Sequence, residues 1–191
     1  MPVTLSQNTE ADALLDRDPL ALLIGMVLDQ QIPLEKAFSS PLELTKRLGH
    51  ELDARELAEF DPQELAAVFS ERPALHRFPS SMAGRVQEMA RVLVADYGGN
   101  VTQLWHGVSD GQELLDRIAA LPGFGKQKAA IYLALLGKQR GIRPPGWREA
   151  AGDFGADGVY MSVADITDSQ SLARVREYKQ NQKAAAKAAV T

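Results

Sequence analysis

The sequence predicts an all-α protein, and three observations support that prediction. Apolar residues recur at helical spacing along most of the 191 residues. Many of these runs open with an aspartate or serine followed by proline and stop at glycine, as helices do. No segment sustains the alternation of a half-buried strand, and no internal repeat of fixed period is present.

The helices of the first half are predicted from their start signals. DPLALLIGMVLDQQ opens with Asp18 as N-cap and Pro19 at the first helical position, and its nearly continuous apolar character indicates burial on most sides. SPLELTKRLG repeats this opening at Ser40 and Pro41 and stops at Gly49. DARELAEF and DPQELAAVFS predict two short amphipathic helices. Together these segments predict four helices joined by short connections.

The second half continues in the same way until a long loop. Ser80 or Ser81 is expected to cap MAGRVQEMARVLVADYGG, and DGQELLDRIAAL follows with one apolar face. Residues 139–164 contain too many glycines and prolines for regular structure, which predicts one long Gly/Pro loop. Asp165 is expected to open the last helix, DITDSQSLARVREYKQ, and the Ala/Lys-rich end to fray into solvent.

Composition excludes several classes of site. The chain is 45% hydrophobic and 24% charged, as in globular proteins, and has no cysteine, which excludes disulfides, thiolate zinc sites, iron–sulfur clusters and a cysteine nucleophile. Three scattered histidines indicate no metal site. The first residues carry acids where a signal peptide is basic, and the apolar run over 20–28 is too short for a bilayer. We therefore expect a cytoplasmic protein with no membrane partner.

Positive charge is concentrated in one segment of an otherwise acidic chain. The formal net charge is −4, yet residues 126–148, called the basic window below, hold no acid. The window contains six cations: Lys126, Lys128, Lys138, Arg140, Arg143 and Arg148. Such a segment can bind a polyanion locally or form an ordinary solvated helix face, and charge alone favours the second interpretation.

The segment LPGFG, residues 121–125, predicts a helix-hairpin-helix. A helix ends near Leu121, a turn contains Gly123 and Gly125, and a second helix begins near Lys126. Glycines let another molecule approach the backbone closely, and the second helix presents free N–H groups at the positive end of its dipole. An anion such as a DNA phosphate fits there, although so short a motif by itself is more often a tight connection between two antiparallel helices.

Four segments carry a resemblance to a known family. LPGFGKQKAAIYLAL resembles the hairpin of the helix-hairpin-helix DNA glycosylase superfamily, the HhH-GPD family of base-excision repair, which typically reads LPGVGxxTA before an apolar helix. LLIGMVLDQQIPLEKAF resembles its early helix, FPSSMAGRVQEMARVLVADYGGNV the stretch before the hairpin, and SVADITDSQSLARV its later segment. The matches follow the family's order and span residues 18–178.

The resemblance implies a two-lobed helical fold that grips double-stranded DNA and flips a nucleotide into its cleft. Residues 1–178 would form one unit, with helices of about 33–135 in one lobe and the terminal segments in the other, followed by a flexible tail over 179–191. It implies no cofactor other than a monovalent cation at the hairpin, and no obligate protein partner. The DNA-binding residues implied are Gln31, Leu121, Gly123, Phe124, Gly125, Lys126, Gln127 and Lys128.

The resemblance also assigns the chemistry. Asp165 falls on the catalytic aspartate, which stabilises the positive charge that develops on the sugar and activates water. Gln31 falls on the residue that fills the gap left by the flipped base. Gln127 falls where strand-nicking members carry a lysine, and without that amine a Schiff base cannot form. The implied function is a monofunctional, hydrolytic DNA glycosylase.

Departures from the family pattern leave alternatives open. The interval between the hairpin and Asp165 is unusually long, so Glu149, Asp153 or Asp157 in the loop could be the acid and Asp165 only a helix cap. Lys128 could supply an amine, but helix geometry should rotate it away from Gln127. The alternative functions are a non-catalytic DNA-structure-binding protein and, more remotely, a protein-interaction module.

Trp147 and Arg148, in the long loop, also allow two interpretations. They could stack on an unpaired base, or Trp147 could pin the loop to the core, which we favour. Met26 and Met89 are expected to fill the core.

Overall fold

The computed structural model describes residues 2–190, and within that range every regular element is helical. The α-helices are Thr9–Arg17 (α1), Pro19–Leu28 (α2), Leu34–Leu48 (α3), Ala54–Glu59 (α4), Pro62–Ser70 (α5), Pro79–Tyr97 (α6), Gly111–Ala119 (α7), Lys126–Gln139 (α8), Trp147–Ala151 (α9) and Ser169–Ala188 (α10). Three short 3-10 helices lie at Val101–Leu104, Gly152–Gly155 and Val163–Asp165. The all-α prediction is confirmed.

Most predicted helix ends are confirmed because the capping side chains make the expected contacts. The Asp18 carboxylate accepts the Leu20 N–H at 2.9 Å, with Pro19 as the first residue of α2. Asp53, Asp61 and Asp110 cap α4, α5 and α7 in the same manner. Helices α3 and α6 end at glycines in the left-handed region.

Two helices begin earlier than predicted. Helix α3 already begins at Leu34, so Ser40 and Pro41 lie inside it. The Ser40 hydroxyl is buried, 2.8 Å from the Lys36 carbonyl and 2.7 Å from the Leu75 carbonyl, and therefore serves the core rather than a helix start. Helix α6 begins at Pro79, directly after Phe78, and not after a capping serine. Pro79 occupies the first helical position of α6, and α3 follows directly on Pro33.

The long loop is more ordered than predicted, since α9 and one 3-10 helix lie within residues 139–164 and a second 3-10 helix begins at Val163. Trp147 begins α9 and is only 7% exposed. Its ring covers Gly137 of α8 so closely that a Cβ there would lie 2.4 Å from the ring. The Gly111 N–H of α7 also binds the Pro145 carbonyl at 2.7 Å. Trp147 therefore pins the loop to the core, as the favoured interpretation predicted.

The last helix begins later and ends later than expected. Asp165 ends a 3-10 helix, and Asp168 caps α10 by accepting the Ser171 N–H at 2.7 Å. The Ala/Lys-rich end, expected to fray, continues α10 to Ala188 with its side chains in solvent. Alanine, lysine and glutamine favour helix strongly enough for this extension to form without packing partners.

Helix α2 forms the centre of the core, since all its residues from Leu20 to Leu28 are buried. It packs against α1, α3 and α6, whereas α8 packs against α7, α9 and the two later 3-10 helices. Met26 and Met89 are buried as expected. Within residues 2–190 no helix combines the length and hydrophobicity that a bilayer crossing requires. This packing brings the end of α2, the start of α8 and α10 to one surface.

Candidate nucleic-acid interface

The hairpin loop, residues 121–125, packs against the core. Leu121 and Phe124 are buried, and the Phe124 N–H donates to the Leu121 carbonyl at 3.1 Å. Gly123 has φ +92°, and a Cβ there would lie 3.2 Å from Cδ of Arg85 and 3.3 Å from Cγ1 of Val27. Glycine suits that position best, because the conformation is strained for other residues and a side chain would crowd Arg85 and Val27.

Gly125 presents the opposite situation, an open backbone at the start of α8. It is exposed, its φ of −93° is open to any residue, and a Cβ would meet no atom within 4 Å. No side chain caps α8, and its first hydrogen bond runs from the Ala129 N–H to the Gly125 carbonyl at 3.0 Å. The N–H groups before Ala129 are therefore available to an outside acceptor. The predicted helix-hairpin-helix is confirmed as a structure.

The basic window does not form one continuous surface. Three of its six cations pair with acids: Lys138 with Asp165 at 2.6 Å, Arg140 with Asp16 at 2.5 Å, and Arg148 with Asp157 at 2.8 Å. Arg143 donates to the Gly137 carbonyl at 2.7 Å. Only Lys126 and Lys128 remain beside the hairpin. The window is therefore not one free positive surface, because three acids outside residues 126–148 pair with its cations: Asp16, Asp157 and Asp165.

Cationic side chains from other helices lie near the hairpin. Arg85 of α6 lies against Gly123, and Lys179 of α10 lines the same hollow as Lys126 and Lys128. Lys183 lies one turn further along α10. Sequence reasoning missed this cluster because it joins three distant segments. The four-residue spacing of Lys179 and Lys183 was the one available signal, since it places both on one helix face.

A cleft runs between the hairpin and α10. It consists of two adjoining cavities of about 480 and 440 Å³ that share Asp29 and Lys179. The first cavity lies between the end of α2 and the start of α8, and also contains Met26, Ile131 and residues 125–128. The second is lined by residues 30–35 and one face of α10. The surface predicted to bind DNA thus borders a hollow of ligand size.

Gln31 lies at the rim of the second cavity. It is exposed and has φ +59°, a left-handed conformation that is uncommon outside glycine. Its neighbour Gln30 is tied down, with the side chain donating to the Val27 carbonyl at 3.0 Å and the backbone carbonyl accepting from His76 Nε2 at 2.8 Å. An unusual backbone held in place by its neighbours is typical of functional positions.

Lys128 and Gln127 both line the first cavity. The Lys128 ammonium donates to the Val27 carbonyl at 3.4 Å, across the gap between α8 and α2. Burial lowers the pKa of Lys128, while the nearby carboxylate of Asp29 raises it and Arg85 lowers it further.

Asp165 lies outside this cleft and accepts three hydrogen bonds. Its carboxylate, 3% exposed, accepts from Lys138 at 2.6 Å, from the Met161 N–H at 2.9 Å and from the Ser162 N–H at 3.2 Å. Lys138 follows Lys128 by ten residues on α8, which places the pair of Lys138 and Asp165 roughly 15 Å along the helix from Lys128, at 1.5 Å per residue. The catalytic role of Asp165 stays a prediction, as do the roles of Glu149 and Asp153, which are exposed.

Within residues 2–190 no group of three His, Asp or Glu side chains is arranged to hold a metal ion. The implied monovalent cation would use carbonyl oxygens instead. The Leu121 carbonyl accepts one hydrogen bond, from the Phe124 N–H, which leaves its second lone pair for such an ion.

Comparison with known proteins identifies one family. The family model described as HhH-GPD superfamily base excision DNA repair protein matches residues 24–190. The match covers α3 to α10, the whole hairpin and both cavities of the cleft. No curated protein and no solved structure gives a significant match.

Proposed function

Since the chain belongs to the HhH-GPD superfamily of base excision DNA repair proteins, we propose that it is a DNA glycosylase that hydrolyses the N-glycosidic bond of a base flipped out of a duplex. The observation that carries the proposal is the open backbone of Gly125 beside a cleft that contains Lys126, Lys128 and Asp29. This juxtaposition joins a phosphate-binding surface to a hollow with ionisable groups.

The proposed contacts with DNA are made mainly by backbone N–H groups of the protein and then by its lysine side chains. A phosphate oxygen would accept the free N–H groups at the start of α8, where the helix dipole also favours negative charge. Lys126 is exposed beside it, and Lys179 and Lys183 continue the positive surface along α10. Such contacts read the sugar-phosphate backbone rather than sequence. Gln31, exposed at the rim, would fill the gap left by the flipped nucleotide.

The proposed chemistry is hydrolysis without strand cleavage. Gln127 offers no amine, so the position that would form a Schiff base in strand-nicking relatives is inert. A carboxylate in the cleft would stabilise the sugar cation and accept a proton from water. Abasic DNA should therefore accumulate intact and break only after alkali or heat.

The experiment is incubation of the full chain with duplexes that carry uracil, hypoxanthine, 8-oxoguanine, 7-methylguanine or a mismatch, with free base and abasic sites measured. Release of one of these bases without strand breaks supports the proposal. A protein–DNA crosslink trapped by borohydride would instead show an amine mechanism, with Lys128 as the first residue to map. A second measurement concerns Lys183. If Lys183 contacts one phosphate, the slope of the logarithm of the binding constant against the logarithm of the salt concentration should become shallower by about 0.9 in Lys183→Gln.

A non-catalytic DNA-structure-binding protein is the second candidate, favoured by the burial of Asp165 in its ion pair with Lys138. Tight binding to bent or abasic duplexes with no base release from any of the duplexes above would select it.

A further inference from the structure

Asp29 stands where the two cavities of the cleft meet, at the C-terminal end of α2. Its backbone N–H closes the helix by donating to the Gly25 carbonyl at 3.0 Å, which fixes the residue in place. Its carboxylate, in contrast, has no hydrogen bond or ion pair to any other residue in the range 2–190. It interacts only at longer range, with the ammonium groups of Lys179 and Lys128.

A half-buried carboxylate without partners does not stabilise the fold. Burial raises the pKa of Asp29, while Lys179 and Lys128 lower it by a smaller amount. Because the folded-state pKa lies above the unfolded one, the folded protein loses stability as pH rises through this range and regains it in acid. An ionisable group that lowers the stability of the fold and lines a cleft is typical of a functional site.

We propose that Asp29 is the catalytic carboxylate, an inference that rests on the glycosylase activity proposed above. As the bond between C1′ and the base nitrogen breaks, its electron pair leaves with the base, and Asp29 stabilises the positive charge on the sugar. A water oxygen then bonds to C1′, and Asp29 accepts the proton that this water loses. Solvent supplies the proton that the departing base takes up, so the carboxylate is regenerated when it returns its proton to solvent.

The surroundings of Asp29 fit this role. Lys128 and Lys179 favour its ionised form, which is the form that the reaction needs. The same cavity includes Gly125 and Lys126, so a strand held at the hairpin would present its sugars along the wall that contains Asp29. Asp165 lacks this placement, because its oxygens already accept three donors at the far end of α8.

The test compares Asp29→Asn with the wild type under single-turnover conditions, on the duplex that releases base in the panel above. Asp116→Asn, an exposed acid on α7, is the matched control. We expect base release by Asp29→Asn to fall by about 100-fold or more, the usual contribution of a general base. Binding to the duplex should persist, and thermal stability at pH 7 should be unchanged or slightly higher, since a buried charge is removed. Asp116→Asn should behave as wild type.

The pH dependence of base release distinguishes a catalytic role of Asp29 from a purely structural one. Base release by the wild type should decline toward acid with a midpoint above the ordinary aspartate value of 3.8, because burial raises the pKa of Asp29. Wild-type rates in Asp29→Asn would overturn the proposal while leaving the glycosylase function in place, and so would lost base release in an Asp165→Asn variant whose Tm is unchanged. No base release by the wild-type chain on any duplex would overturn both.

Discussion

Replacement of Asp165 by asparagine should lower the free energy of unfolding, whatever its effect on base release. The Asp165 side chain is 3% exposed and that of Lys138 is 13% exposed, with 2.6 Å between the charged atoms. Asparagine can still accept the Met161 and Ser162 N–H groups through its amide oxygen, but its amide nitrogen would then face the Lys138 ammonium, donor against donor. The change therefore leaves a largely buried cation without its partner.

The expected magnitude follows from that geometry. Removal of one partner of a buried ion pair typically destabilises a protein by about 3–5 kcal/mol. Since Lys138 keeps some solvent contact, we expect the lower end, about 3 kcal/mol. For a domain of this size each kcal/mol shifts Tm by roughly 2–4 °C, which gives a fall of roughly 6–12 °C.

The measurement is urea and thermal unfolding at pH 7, followed by circular dichroism. Asp157→Asn is the control, because its pair with Arg148 is solvent-exposed and should contribute little. The double variant Lys138→Met/Asp165→Asn should recover part of the loss, since it removes the stranded charge. An unchanged Tm in Asp165→Asn would refute this reasoning. An unchanged Tm together with lost base release would instead restore Asp165 as the catalytic acid.

Two further predictions concern the hairpin and the loop. Gly125→Val should weaken binding to an undamaged duplex by roughly tenfold or more, the equivalent of one hydrogen bond to a charged group. Its Tm should be unchanged, because the added Cβ meets open space. Fluorescence anisotropy at fixed salt measures the affinity, and wild-type affinity would remove the hairpin from the interface. Trp147→Ala should lower the free energy of unfolding by about 3–5 kcal/mol, since it empties the space over Gly137. The folded fraction of Trp147→Ala should bind DNA as wild type does, and a specific loss of affinity would support base stacking instead.

The local elements were predictable because their signals are local. Asp18 with Pro19 marks a helix start wherever it occurs, since the carboxylate caps the free N–H groups within two residues. The hairpin was equally visible, because Gly123 needs a backbone that only glycine adopts readily. The signals failed where a side chain served a distant partner, as the Ser40 hydroxyl serves the Leu75 carbonyl.

The sequence by itself determined the helical class, the family and the hairpin, since each depends on residues close together in the chain. Only the tertiary structure decided which charges are free, because electrostatic energy depends on distance in space and on burial. It brought Asp165 to Lys138, where the two opposite charges form an ion pair. It also brought Asp29, Lys128 and Lys179 to one cleft, although the chain separates the first from the last by 150 positions. No pattern within a window of sequence contains that juxtaposition, since it exists only when α2, α8 and α10 pack together.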